Sequence, residues 1–227
     1  LKYSYSIAEL VASALAHFES HFLPYLPCFQ SLTRSVEGSA RLYLHGLFQC
    51  RRRNREKVAE TVAGSQYQRL HHILSESAWD RRGVRRQLIA DANAHFGPSA
   101  ALVFDESAFA KKGDKSAGVA RQWNGRLGKT DNSQVGVFAA VAKDGVAALV
   151  DGELYVPEEW FGDPERCREA GIPEGMEFVT KGERAFAMMH CLRREGLRFA
   201  FVVFDAGNGH LPWLLRALDD ERETFLA

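Results

Sequence analysis

The chain has 227 residues, 46% hydrophobic, 26% charged and 11% aromatic, which supports one or two packed cores and excludes a disordered or collagen-like chain. Lys plus Arg and Asp plus Glu each number 29, so no whole-chain basic footprint exists; yet residues 1–100 hold 13 basic and 8 acidic residues (+5) and residues 101–227 hold 16 and 21 (−5). No window approaches 18 uncharged apolar residues, so neither a transmembrane helix nor a membrane partner is expected. The opening LKYSYSIAEL has neither Met nor a basic-then-apolar leader pattern. Cys28, Cys50, Cys167 and Cys191 form no C-x-x-C pair and fit free thiols in a reducing cytoplasm.

Residues 6–22 place Ile7, Leu10, Val11, Ala14, Leu15 and Phe18 at helical spacing, and Pro24 and Pro27 in FLPYLPCF break that helix. Residues 38–62 read as one long helix, with Leu42, Leu44, Leu47 and Phe48 as its apolar half and RRRNREK (51–57) as its basic half. Two more helices are expected over 65–75 and 80–96, the second capped by Ser77 or Asp80 and ended by Gly97-Pro98. Within 41–86 lie 11 basic and 4 acidic residues, a net of +7 that suits the phosphates of nucleic acid, although a solvated surface has the same composition. Residues 1–98 are thus expected to be a helical, DNA-binding region.

The pattern changes at Ala101. ALVF (101–104) is a short buried strand; GVFAAVA (136–142) and VAALVDGELYV (146–156) form a hairpin through Lys143-Asp144-Gly145. Residues 157–177 are a loop with a short helix, Lys181–Glu195 a helix, FAFVVF (199–204) a strand, Leu211–Leu218 a helix and TFLA (224–227) the start of a strand. That order predicts an α/β layered domain over 99–227.

Two acids follow apolar strands: Asp105 in VFDES and Asp205 in VVFDAGNGH. Acids at the carboxyl ends of strands face the crevice where open α/β sheets hold ligands, and a pair on neighbouring strands suits the hard cations Mg²⁺ or Mn²⁺. Two such metals activate a water and stabilise the leaving oxygen of a phosphodiester. The competing reading is a turn or helix cap, which Gly207 and Gly209 suit for Asp205. Glu106 is a weaker candidate, because strand alternation turns it away from Asp105. The stretch 111–134 carries Lys111, Lys112, Lys115, Arg121, Arg126 and Lys129 among glycines, which beside two carboxylates suits a phosphate-backbone substrate; an exposed hairpin loop is the alternative. His17 and His21 in HFESH lack the zincin pattern, GNGH and GRLG lack Rossmann or P-loop spacing, and Cys191 is expected in the core.

VFDESAFAKKGDKSAGVARQW (103–123), GKTDNSQVGVFAA (128–140), DGELYVPEEW (151–160) and VVFDAGNG (202–209) together resemble one group of bacterial insertion-sequence transposases of the DDE superfamily. LYLHGLFQCRRRNREKVAE (42–60) and QRLHHILSESAWD (68–80) are similar to that group's helical region, so the resemblance runs from about residue 40 to the end. It implies an α/β fold with an N-terminal helical region followed by a partial RNase H-like mixed sheet with flanking helices. It also implies two metals held by three acids, hydrolysis of the transposon-end strand, and transfer of the freed 3′-OH into target DNA. Asp105 matches the first acid and Asp205 the second; the third, a Glu, falls beyond the strand that starts near Ala227, since Glu221 and Glu223 come too early. Asn208-Gly209 stands where the group has Tyr-Gly. The implied partner is double-stranded DNA, both transposon ends and target, bound by a homodimer in the bacterial nucleoid. Arg51, Arg52, Arg53, Lys111, Lys112, Lys115, Arg121 and Lys129 are the expected DNA contacts. Two alternatives remain: a catalytically inactive, transposase-derived DNA-binding protein, and an unrelated metal-dependent phosphohydrolase.

Overall fold

A computed structural model of the chain describes residues 7–30, 34–205 and 211–227, with backbone alone for 7–12. The chain divides into two compact units, Leu1–Gln87 and Leu88–Ala227. The first contains helices α1 (Ile7–Phe22), α2 (Glu37–Gln49), α3 (Arg55–Thr61), α4 (Tyr67–Ser75) and the start of α5 (Arg81–Phe96). Leu23–Phe29, with its two prolines, winds as a tight 3₁₀ segment rather than an open break. Asp80 caps α5, accepting a hydrogen bond from the Gly83 amide at 2.8 Å.

The single helix expected over 38–62 is two helices. The backbone turns extended at Cys50, and Asn54 caps α3 by accepting the Lys57 amide at 2.9 Å. Packing explains the break: it folds α3 back so that Val58, fully buried, seats against Gly46 of α2. A Cβ at Gly46 would lie 2.4 Å from Val58 Cγ1, so only glycine permits this approach. Cys50, Val58, Val62 and Leu70, with Leu42, Tyr43 and Ala59 against them, make the small core of this unit.

The second unit is built on a six-stranded mixed sheet: β1 (Ala101–Ala110), β2 (Ala120–Asn124), β3 (Lys129–Lys143), β4 (Val146–Tyr155), β5 (Phe201–Phe204) and β6 (Phe225–Leu226). The order is β2-β3-β1-β5-β6, with β4 also on β3. β1 runs antiparallel to β3 and parallel to β5, and β5 parallel to β6. The remaining helices are α6 (Pro164–Glu169), α7 (Lys181–Arg194) and α8 (Pro212–Asp220). This is the expected α/β class and a partial RNase H-like fold, helical region first.

Strand alternation sorts the sheet into two faces. Leu102 and Phe104 of β1, Val137, Ala139 and Val141 of β3, and Val202 and Phe204 of β5 share one core with Ala185, Met188, Met189 and Leu192 of α7, Leu214 and Leu218 of α8, and Ile89, Ala92 and Phe96 of α5. Those last three residues explain why the division between units falls inside α5 rather than at Gly97-Pro98. The other face carries Val103, Asp105, Ser107 and Phe109 and is half-exposed to exposed along β1. A second small core of Val119, Val156, Trp160 and Ile172 ties the segment after β4 to the start of β2. Cys191 is half-buried on α7, not in the core, its Sγ 3.7 Å from Glu195 Oε1. Among the described residues no helix is long and apolar enough to cross a membrane.

Candidate functional site

Asp105 and Asp205 occupy matching places on neighbouring strands. β1 and β5 are in parallel register from Ala101↔Phe201 to Phe104↔Phe204, and each acid is the next residue after that last pair. Phe104 and Phe204 are buried and stack 5.4 Å apart, which pins the two strand ends together from the core side. Alternation turns Asp105 to the opposite face, and Asp205, one residue beyond β5, is exposed as Asp105 is. Neighbouring strands lie about 4.8 Å apart, so the two acids follow backbone positions one strand spacing from each other. The Asp105 carboxylate accepts the Glu106 amide at 2.7 Å. Two solvent-facing, hard oxygen donors at this spacing suit Mg²⁺ or Mn²⁺. Among the described residues no third His, Cys, Asp or Glu completes a cluster. Gly207, Asn208, Gly209 and His210 lie outside the described residues.

Glu106 points to the other face, as alternation requires, and meets Lys181 Nζ at 2.5 Å. Lys181 begins α7, whose first turn is fixed by a capping box between Thr180 and Glu183. The Thr180 amide and hydroxyl hold the Glu183 carboxyl below its usual range. Around Glu106 the sequence reading missed a polar cluster. Arg184, only 8% exposed, pairs with Glu153 at 2.7 Å. The Tyr155 phenol, 5.2 Å below the Lys181 ammonium by its ring centroid, is pushed up by burial and then by the Glu106 charge. These residues clamp β1, one residue past Asp105, to the start of α7.

The stretch 111–134 is a loop only as far as Val119. Beyond it, β2 and the first residues of β3 form a ribbon in register from Ala120↔Ser133 to Asn124↔Lys129. The ribbon continues the sheet past the acids but does not sit beside them. Asp105 pairs with Phe138, Arg121 with Asn132 and Trp123 with Thr130. At about 3.3 Å per residue, Lys111 stands roughly 20 Å and Trp123 roughly 26 Å along the sheet from Asp105. The cations are therefore not neighbours of the acids, as their closeness in sequence suggested, because β1 runs on for five residues after Asp105. Lys112, Lys115, Arg121 and Lys129 are exposed, Lys111 is half-buried, and Lys129 pairs with Asp131 at 3.0 Å, holding that carboxyl low.

Register also puts Arg121 and Trp123 on the same face as Asp105, with Phe109 between. Trp123 is 64% and Phe109 45% exposed, large aromatics left open on the carboxylate face. β2 escaped notice because ARQWN has neither an apolar run nor an apolar–polar alternation. In the first unit, Arg51, Arg52 and Arg53 are exposed in the link between α2 and α3.

A family model described as "DDE superfamily endonuclease" matches residues 24–227. A probable transposase for insertion sequence element IS701 from Microchaete diplosiphon is 31% identical over 176 residues, which cover 76% of this chain and 43% of that protein. The chain thus spans less than half of that relative's length. With nine-tenths of its residues inside the family match and its two strand-end acids side by side, the chain belongs to the DDE superfamily endonucleases.

Proposed function

We propose that this chain is the helical region and most of the catalytic core of an insertion-sequence transposase, acting on the ends of its element in double-stranded DNA. The observation that carries the reading is the in-register pair Phe104↔Phe204, after which Asp105 and Asp205 are each the next residue, both exposed. These two carboxylates would hold the divalent metals, Mg²⁺ or Mn²⁺, with the third acid supplied from outside residues 1–227. When bound, such ions make a nucleophile of water or of a 3′-OH and stabilise the leaving oxygen of a phosphodiester, which serves both end cleavage and strand transfer. The chain's own residues set the geometry. Phe104 and Phe204 hold the strands, and Glu106 with Lys181 fixes β1 immediately beyond the first acid. Lys111, Lys112, Lys115, Arg121 and Lys129 contact backbone phosphates, and by register Lys111, Arg121 and Lys129 do so roughly six to nine nucleotides from the scissile bond at about 3.4 Å each. Arg51, Arg52 and Arg53 contact DNA from the helical unit. Cleavage of two ends calls for a homodimer.

The test uses the full-length transposase and labelled duplexes carrying the element's ends, with Mg²⁺, Mn²⁺ or EDTA. Asp105→Asn and Asp205→Asn each abolish metal-dependent cleavage and leave duplex binding in place. Cleavage that survives either substitution refutes the assignment. Salt-sensitive binding with no cleavage by the unsubstituted protein identifies a DNA-binding relative without catalysis, and turnover of small phosphate esters identifies a phosphohydrolase.

A further inference from the structure

The ribbon of β2 and the start of β3 has one closed face and one open face. On the closed face Asn124 is 1% and Ser133 0% exposed, and the Asn124 side-chain amide donates to the Ser133 hydroxyl at 3.0 Å. Gln122 donates to the Gly118 and Ser133 carbonyls at 3.2 and 3.1 Å. With that face closed, Arg121 and Trp123 are turned outward. The Trp123 indole and, across β3, the Phe109 ring stand open on this outer side. Phe109 is steadied edge-to-face by Phe138, centroids 6.5 Å apart. The Asn132 side chain donates to the Lys111 and Gly113 carbonyls, both at 2.9 Å, which ties the lysine loop to the ribbon. Phe109 pairs with Gln134 and Trp123 with Thr130, on opposite sides of β3, so the two backbone positions lie about 13 Å apart along the sheet and about 10 Å across it, or about 16 Å in all.

We propose that this ribbon holds unpaired nucleotides of a DNA strand: Trp123 and Phe109 stack on bases, and Arg121, two residues before Trp123 on the same face, takes an intervening phosphate. This rests on the transposase reading above and adds the form its substrate takes away from the acids, a strand separated from its complement. Charge favours a nucleic acid. Residues 111–134 hold six Lys or Arg against two Asp, and Asp131 is already paired with Lys129. Shape favours an unpaired one. In a duplex the base faces cover one another and only edges and phosphates are open, whereas an unpaired base offers the flat face that an open aromatic ring can stack on, whatever its sequence. At the stacked spacing of about 3.4 Å, the two rings span about five nucleotides.

Binding of the full chain is measured by fluorescence anisotropy to a mixed-sequence single strand of about 15 nucleotides, to its blunt duplex, and to that duplex carrying a run of mismatched pairs. Trp123→Ala weakens the single strand and the mismatched duplex about tenfold or more and the blunt duplex less than about twofold. Phe109→Ala acts in the same direction. Trp123→Phe keeps a ring and stays within about threefold of the unsubstituted chain. Arg121→Ala lowers the single-strand salt slope by about 0.7, whereas Trp123→Ala leaves that slope unchanged. The single strand quenches tryptophan emission of the unsubstituted chain and does so much less in Trp123→Phe. Trp123 is exposed, and an unchanged far-ultraviolet circular dichroism spectrum establishes that the variants are folded. Weakening of all three ligands alike by Trp123→Ala, no weakening at all, or quenching that persists in Trp123→Phe overturns the proposal, as does self-association of the chain through Trp123 in place of strand binding. Asp105→Asn retains the quenching and the strand affinity while losing cleavage, so failure here and failure of the catalytic reading give different results.

Discussion

Replacing Trp160 by Ala tests whether the segment after β4 anchors the cationic ribbon. The indole is fully buried; its N–H donates to the Val119 carbonyl at 3.0 Å, and the Arg166 guanidinium stacks 3.7 Å from its centroid. An indole buries about 200 Å². At about 25 cal/mol per Å² that burial is worth about 5 kcal/mol, near the 3–5 kcal/mol range of buried aromatic truncations. The lost hydrogen bond adds about 1 kcal/mol, partly offset because Arg166 also donates to the Val119 carbonyl at 3.3 Å. Trp160→Ala should therefore cost about 5 kcal/mol in urea unfolding followed by circular dichroism. Trp160→Phe keeps the ring in the core and should cost about 1–2 kcal/mol. Because Val119 directly precedes β2, the Ala variant should also lose DNA affinity contributed by Arg121 and Lys129. A cost below about 1 kcal/mol for the Ala variant would refute this anchoring, since no well-packed core loses an indole so cheaply.

Three further outcomes are expected. Glu106→Gln should leave Mn²⁺-induced thermal stabilisation intact, because Glu106 faces away from the acids, but should lower cleavage several-fold by loosening β1 from Lys181; its stability cost, at a half-exposed pair, stays under about 1 kcal/mol. Glu183 sits below the 4.5 to which it returns on unfolding, so its stabilisation is complete above that value and is lost as pH falls through the folded value; Thr180→Ala should cost about 1 kcal/mol at pH 7 and flatten the acid limb of the urea midpoint. Mn²⁺ should raise duplex affinity about tenfold over EDTA in the unsubstituted protein and much less in Asp105→Asn or Asp205→Asn, measured by fluorescence anisotropy.

The apolar strands and the amphipathic α7 were legible because burial on one or both faces writes a period into the sequence, as in FVVF and in Ala185, Met188, Met189 and Leu192. Asp105 and Asp205 could be singled out because each ends such a strand. Their meeting could not: it depends on β5 pairing with β1 in one register, a contact a hundred residues apart that no local pattern encodes. The break between α2 and α3 was hidden because the four polar residues Arg51, Arg52, Arg53 and Asn54 continue a helix as readily as they end one, and only Val58 seating on Gly46 decides. β2 and the start of β3 were hidden for a related reason. Arg121, Trp123, Thr130 and Asn132 are all open to at least partial solvent exposure, so nothing apolar marks the ribbon as sheet. The cluster of Lys181, Arg184, Glu153 and Tyr155 comes from two elements brought together only by the fold.

The separation of the ribbon from the acids has an electrostatic consequence. A distance of roughly 20 Å or more is about twice the 8–10 Å over which salt screens exposed charges, so the ribbon's cations do little to neutralise Asp105 and Asp205. The strand-end pair therefore presents net negative charge, which under the proposed function meets a negative substrate. Two carboxylates about 5 Å from a phosphate in water each cost about 0.8 kcal/mol, and together roughly a tenfold loss of affinity. Under the proposed function, one divalent cation held by the two acids would cancel that repulsion and a second would turn it into attraction. On that proposal, DNA held through Arg121 and Lys129 could lie across the open face without its scissile phosphate settling against the acids until the cation is there. Under the proposed function, Asp105 and Asp205 would also make close approach of the substrate conditional on the metal, and the long run of β1 past Asp105 would keep binding and reaction electrostatically separate.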